Sequence, residues 1–153
     1  MIGWAGLIAG SLDITAAFVE AGLEGRSPVS LLQGIAGGLL GMSSFQGGLA
    51  TAALGTFFHF LIAFTAAAVF YAVSRKWAIL VKHSVLSGLL YGVMVYSFMN
   101  FVVLPLSAYH VTITLRPTAR LARDIAIVMI MVGLPISLVV RKYSESSFAT
   151  GPA

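Results

Sequence analysis

The chain has 153 residues, of which 59% are hydrophobic and only 9% charged, and its net charge is +4. Soluble domains carry about 25% charged and 45–50% apolar residues, so this composition excludes an ordinary soluble domain. No cysteine is present, which excludes a disulfide framework, a cysteine-ligated metal cluster and thiol chemistry. The basic residues lie between and beside apolar runs, as in the loops of a membrane protein. This arrangement argues against nucleic-acid binding.

The apolar runs are long enough to cross a bilayer, which requires about 20 residues each. Lipid leaves only helices or closed barrels as spanning structures, and the runs lack the alternation of barrel strands. The sequence therefore predicts an all-α membrane protein with four transmembrane helices, at about residues 2–23, 49–73, 85–106 and 121–140. The first is expected to be an uncleaved signal-anchor. Residues 1–143 are predicted to form one bundle domain and residues 144–153 a disordered tail.

A shorter helix is predicted between the first two spans, in the segment "RSPVSLLQGIAGGLLG". Ser27 is a suitable N-cap and Pro28 a suitable first helical residue. The apolar run that ends at Leu40 is too short to cross the membrane. We therefore expect an interfacial or re-entrant helix that packs against the bundle.

The distribution of basic residues predicts the orientation. One side of the membrane receives Arg75, Lys76, Lys82, Arg141 and Lys142, and the other receives Arg26 and Arg116. If Arg120 and Arg123 belong to the fourth helix, the count is five against two; otherwise it is five against four. The positive-inside rule then predicts that both termini lie in the cytoplasm.

Small residues recur three or four positions apart on the predicted spans. They include Gly6 and Gly10 in the first, Gly55 in the second, and Gly88 and Gly92 in the third. Such spacing places small residues on one face of a helix and lets helix backbones approach closely. We therefore expect these glycines to form the contacts between helices.

The same faces carry polar residues, namely Asp13, His59 and Asn100. In an antiparallel pair of helices Asp13 and His59 would lie at a similar depth, about 15 Å from either surface. A bare carboxylate in hydrocarbon costs at least ~2.5–3.5 kcal/mol, so Asp13 must face the bundle interior, a partner or water. An imidazole beside it can share a proton near neutral pH. This predicts a proton-responsive polar site, with hydrogen bonding between helices as the purely structural alternative.

His59 and Asn100 have further interpretations. His59 is either a satisfied polar contact, a proton relay or the ligand of a flat macrocycle, for which Gly55-x-x-x-His59 would leave room. No second buried histidine is predicted, and no cofactor is required by the sequence. Asn100 is expected to join helices through hydrogen bonds.

The remaining charged residues near the spans have structural interpretations. Arg120 and Asp124 lie four residues apart and are expected to form an ion pair within one helix. Glu20 and Glu24 are expected at the boundary with the lipid headgroups. Pro105 and Pro135 are expected to mark a span end or a kink.

Four segments show a resemblance to known proteins: "GSLDITAAFVEAGLEGRSPVSLLQGIAGGLLG", "HFLIAFTAAAVFY", "GLLYGVMVYSFMNFVVLPLSA" and "VGLPISLVVRK". Together they resemble a family of small uncharacterised bacterial polytopic inner-membrane proteins. The resemblance implies a polytopic bacterial membrane protein. It carries over no activity, substrate or site residue.

The sequence contains no enzyme motif: G-x-S-x-G, P-loop, dinucleotide-binding and H-E-x-x-H patterns are all missing. The chain is therefore predicted not to be an enzyme. One hypothesis is movement of a small solute or ion by a homo-oligomer in the bilayer. The alternative is a non-catalytic accessory subunit of a larger redox or pigment complex, which would also suit the glycine-rich faces.

Overall fold

The computed structural model describes residues 1–109 and 118–149, and all regular structure in these ranges is helical. The described chain contains four helices that are long and apolar enough to cross a membrane: Ile2–Leu23, Gly48–Lys76, Ser84–Leu106 and Ala119–Ser144. The predicted all-α membrane fold with four spans is confirmed. The second and fourth helices extend beyond the ranges predicted from hydropathy.

The first span is helix α1 (Ile2–Leu23), and the short helix α2 (Pro28–Leu40) follows it. The Ser27 hydroxyl accepts a hydrogen bond from the Ser30 amide at 3.1 Å, which caps α2. With 13 residues, α2 is about 20 Å long and cannot cross a hydrocarbon core of about 30 Å. The predicted short helix between the first two spans is therefore present.

The second span is helix α3 (Gly48–Lys76), and α2 packs against its first turns. The buried Gln33 side chain on α2 donates its amide hydrogen to the Gly48 carbonyl at 3.0 Å. The Tyr109 hydroxyl, after the third span, donates to the Gly34 carbonyl of α2 at 3.1 Å. These bonds fix α2 between the start of α3 and the end of the third span.

The later part of the chain contains short helices and two π turns. After α4 (Ile79–Lys82), the third span consists of α5 (Ser84–Phe98), a π turn (Met99–Val103) and α6 (Leu104–Leu106). The fourth consists of α7 (Thr118–Val128), a π turn (Met129–Gly133) and α8 (Leu134–Ala149).

Both π turns end just before a proline, Pro105 or Pro135. Proline lacks the amide hydrogen and its ring crowds the carbonyl four residues earlier, which is Phe101 or Met131. Local widening to a π turn accommodates this crowding without ending the helix. The structure thus shows a change of helical register where the sequence predicted a kink.

The C-terminal part differs from the prediction. Helix α8 continues to Ala149, so residues 144–149 are helical where the sequence predicted a disordered tail. Leu134 and the following apolar residues start a helix that the polar residues after 143 prolong. Residues 150–153 lie outside the described part of the chain.

A hydrophobic core cluster lies in the half of the bundle nearer the N-terminus. Phe70 and Tyr91 meet edge to face, with ring centroids 5.0 Å apart. The Tyr91 hydroxyl donates to the Ala66 carbonyl at 2.7 Å, joining α5 to α3. The core cluster consists of Ala5, Ala9, Ala67, Phe70, Tyr91, Val132, Ile136 and Val140.

Two glycines of α1 permit its close approach to α3. A Cβ on Gly6 would lie 2.9 Å from the Phe64 Cα, and one on Gly10 would lie 2.9 Å from the Phe60 ring. Real Cβ atoms essentially never approach other heavy atoms within 3.0 Å. Glycine at these positions therefore sets the separation of the two helices.

The third and fourth spans meet in the same way. A Cβ on Gly88 would lie 2.8 Å from the Gly133 carbonyl oxygen, and one on Gly92 would lie 2.9 Å from the Met129 amide nitrogen. Both contacts are with backbone, which cannot rotate away as a side chain can. All the glycines for which the sequence predicted helix contacts, apart from Gly55, thus lie between spans.

Candidate intramembrane cavity

A cavity of about 410 Å³ lies between the spans, with α2 closing one side. Residues on α1, α2, α3, α5, α7 and both π turns line it, most of them apolar. Its polar lining consists of Asp13, Glu20, His59, Tyr96, Asn100 and Asp124. The structure therefore brings the three predicted site residues, Asp13, His59 and Asn100, to one cavity.

Asp13 is half-buried in the cavity wall. Gly10 and Ala17 on the same stripe of α1 also line the cavity, so the helical spacing places the carboxylate inward. Within the part of the chain that the structure describes, Asp13 makes no hydrogen bond and no ion pair. An unpaired carboxylate at this depth favours binding of a proton or a cation, because either one removes the uncompensated charge.

His59 lies across the cavity on α3. Its Nε2 is 2.8 Å from the carbonyl oxygen of Gly10, one turn before Asp13. A carbonyl oxygen only accepts hydrogen bonds, so Nε2 carries the hydrogen and Nδ1 remains available to bind a proton. Among the described residues no ion pair joins His59 to Asp13 directly. The two side chains share a cavity but not a hydrogen bond.

The space beside Gly55 is filled. A Cβ at this position would overlap the carbonyl of Leu32 and would lie 3.2 Å from the amide nitrogen of Ala36, both on α2. The sequence suggested that Gly55-x-x-x-His59 leaves room for a flat macrocycle. The structure corrects this interpretation, because α2 packs where the macrocycle would lie. Gly55 is a contact between α2 and α3.

Asn100 bonds within its own helix. Its side-chain amide donates to the Tyr96 carbonyl at 2.9 Å. The sequence predicted a hydrogen bond between helices; the structure instead places the donor one turn earlier on the same helix. The Tyr96 carbonyl also accepts from the Met99 amide, so the Asn100 side chain adds a second hydrogen bond to it.

An ion-pair cluster lies at the end of α1 and the start of α7. Arg123 Nη2 is 2.9 Å from Glu20 Oε1 and 3.4 Å from Asp124 Oδ1. The sequence predicted that Arg120 pairs with Asp124. In the structure Arg120 pairs with Glu24 instead. Glu20 and Glu24 are about one turn apart, as are Arg120 and Arg123. Each arginine therefore reaches one of these two acids at the end of α1. Since Glu20 and Asp124 also line the cavity, Arg123 lies at its polar end.

Glu24 follows the first span and is held by arginines. Its carboxylate accepts a hydrogen bond from Arg26 at 2.6 Å, which lowers its pKa below the ordinary value of 4.5, and the Arg120 charge adds to this effect. A lowered pKa in the folded protein gives stabilisation that is present above the unfolded pKa and is lost as the pH falls through the folded pKa.

Replacing Glu24 by glutamine therefore has a pH-dependent effect. We expect a small loss of thermal stability at neutral pH, because exposed ion pairs contribute little. We expect no loss well below pH 4.5, where the wild-type carboxylate is protonated as well. Thermal unfolding in detergent at both pH values measures this, and an equal loss at both would contradict the assigned pairs.

Sequence reasoning missed Glu20 and Asp124 as cavity residues. Glu20 lies seven residues after Asp13 on the same stripe of α1, and this spacing was a usable signal. The contribution of Asp124 depends on how α7 lies against α1, which no local pattern reveals. No group of three or more His, Cys, Asp or Glu in the described chain could hold a metal ion.

Comparison of the chain with known families, curated proteins and solved structures found no match in any of the three. The resemblance to small bacterial inner-membrane proteins therefore stays a prediction. The functional argument depends on the geometry of the cavity.

Proposed function

We propose that this membrane protein exchanges a monovalent cationic solute for a proton at Asp13. The observation that carries the proposal is the unpaired, half-buried Asp13 carboxylate in a cavity of about 410 Å³. The titratable and charged groups around it are His59 on α3, Glu20 on α1, Tyr96 on α5, and Arg123 and Asp124 on α7. The role is not enzymatic.

The exchange follows from the cost of charge in the bilayer. An empty site with an ionised Asp13 is unfavourable, so the carboxyl group binds either a proton or a cation. Because both compete for one carboxylate, cation binding releases the proton. His59, fixed on the Gly10 carbonyl through Nε2, offers Nδ1 as the nearby group that accepts this proton.

The proposed orientation places the acidic end of the cavity away from the cytoplasm. Arg120 and Arg123 lie in α7, where both pair with acids. They are therefore not counted as loop charges, and the count is five against two. The excess of Arg and Lys then favours cytoplasmic termini in a bacterial inner membrane. Glu20 and Glu24 lie at the end of the first span and Asp124 lies near the start of the fourth, so all three are on the side of the membrane opposite the termini.

Large apolar side chains cover the outer faces of the spans and support contact with lipid; they include Trp4, Val19, Leu49, Phe57, Leu86 and Phe98. Four helices seldom enclose a complete pathway, so the proposal includes a homo-oligomer. The accessory-subunit interpretation instead expects the protein to co-purify with a larger redox or pigment complex.

Two measurements test the proposal on the wild-type protein. Liposomes that contain the protein and a pH-sensitive dye receive external sodium or tetramethylammonium chloride. We expect the lumen to become more alkaline than in protein-free liposomes, because the entering cation displaces a proton outwards. Native purification in mild detergent should give a small homo-oligomer. No effect of either cation, together with isolation in a large redox-active or pigmented assembly, would support the accessory role instead.

A further inference from the structure

A second, apolar groove of about 430 Å³ lies between α3 and α5. Its walls consist of Leu61, Ile62, Thr65, Ala66, Val69, Tyr91, Met94, Val95, Phe98, Met99 and Val103. Leu61, Met94 and Phe98 on its rim are exposed on the outer surface of the bundle. The groove therefore faces the region that lipid acyl chains occupy.

The groove adjoins the polar cavity, because both spaces are lined by Ile62, Ala66, Val95 and Met99. Tyr91 bonds to the Ala66 carbonyl at one end of the groove and holds α3 and α5 together there. At the other end Met99, in the π turn, is a flexible side chain between the two spaces.

The two spaces differ sharply in polarity. Among the side chains that line the groove, the hydroxyls are those of Thr65 and Tyr91, and both donate to backbone carbonyls at 2.7 Å. They therefore offer a ligand no free donor. The cavity, in contrast, has the unpaired Asp13 and the further acids Glu20 and Asp124. A ligand that fills both spaces must combine an apolar chain with a cationic end.

We infer that the cavity and the groove together bind a single-chain amphiphile with a cationic ammonium head, which enters sideways from the bilayer. The head lies beside Asp13 and the alkyl chain lies in the groove between α3 and α5. The inference rests on the proposed function, whose cationic solute it specifies. Tyr96, which also lines the cavity, suits a quaternary ammonium group because aromatic rings attract such cations.

Charge complementarity selects this occupant over ordinary phospholipids. A phospholipid head carries a phosphate group, which the acids of the cavity repel. The combined volume also falls in the range of about 300–1,000 Å³ that is common for sites of small organic ligands.

The test measures binding of radiolabelled dodecyltrimethylammonium to the wild-type protein in nanodiscs, with empty nanodiscs subtracted. We expect saturable binding that unlabelled dodecyltrimethylammonium displaces. Tetramethylammonium, which has the head without the chain, and dodecanoate, which has the chain with the opposite charge, should displace it at least about tenfold more weakly. Equal displacement by all three compounds would overturn the inference.

Two matched variants locate the chain. Thr65→Phe fills the groove, whereas Ala72→Phe adds the same ring to an exposed position on α3 outside it. We expect Thr65→Phe to weaken binding about tenfold or more and Ala72→Phe to bind as the wild type. Wild-type binding by Thr65→Phe, or a changed oligomeric state in this variant alone, would overturn the inference; the second result would make the groove a contact between copies.

The outcomes separate this inference from the proposed exchange. Sodium-driven alkalinisation of liposomes without saturable binding of the amphiphile would refute the inference and leave the exchange standing. Saturable binding that depends on charge and chain, without any cation-driven change of lumen pH, would refute the exchange and leave a binding site.

Discussion

Asp13→Asn is expected to abolish the cation-driven alkalinisation of protein-containing liposomes. Asparagine has nearly the same size as aspartate but carries no charge and binds no proton at neutral pH. Because Asp13 makes no hydrogen bond or ion pair with the described residues, its replacement removes no structural contact seen here. Relief of the cost of a carboxylate in the membrane, at least ~2.5–3.5 kcal/mol, should make the variant as stable as the wild type or more stable.

The matched control for this prediction is Thr15→Val on the same helix. Thr15 is exposed on the outer face of α1, and its hydroxyl donates to the Ser11 carbonyl at 2.6 Å. It lines no part of the cavity, so its flux should equal that of the wild type. Unchanged flux in Asp13→Asn would remove Asp13 from the mechanism, and a purely structural Asp13 would instead reveal itself by a loss of thermal stability.

Gly92→Ala is expected to destabilise the protein by pushing the third and fourth spans apart. The new Cβ would lie 2.9 Å from the Met129 amide nitrogen and 3.1 Å from the Val128 carbonyl oxygen. These are backbone atoms of the fourth span, so the helices must separate. Insertion of a methyl group into a close-packed contact typically costs about 1–3 kcal/mol. Thermal unfolding in detergent measures the change.

The control for Gly92→Ala is Gly34→Ala in α2, where an added Cβ would meet no atom within 4 Å. Alanine is favoured over glycine in a helix by about 1 kcal/mol. This variant should therefore be as stable as the wild type or more stable. If the two substitutions change the unfolding temperature in the same direction and by the same amount, the close contact of α5 with the π turn of the fourth span does not exist.

The sequence by itself determined the features that depend on a helix and its solvent. The length and apolar composition of the runs determined the spans, because in lipid a chain must satisfy its own backbone. Ser27 and Pro28 determined the start of α2, because capping is a local interaction. The stripe of Gly6, Gly10 and Asp13 indicated the inward face of α1, because helical spacing is fixed.

Only the tertiary structure decided which faces meet. It brought Glu20 and Asp124 into the cavity, and it paired Arg120 with Glu24, the residue that follows α1. It also filled the space beside Gly55 with α2. These features join residues far apart in the chain, and several partners along a helix would satisfy the same local pattern. Close packing of backbone against glycine selects one arrangement among them.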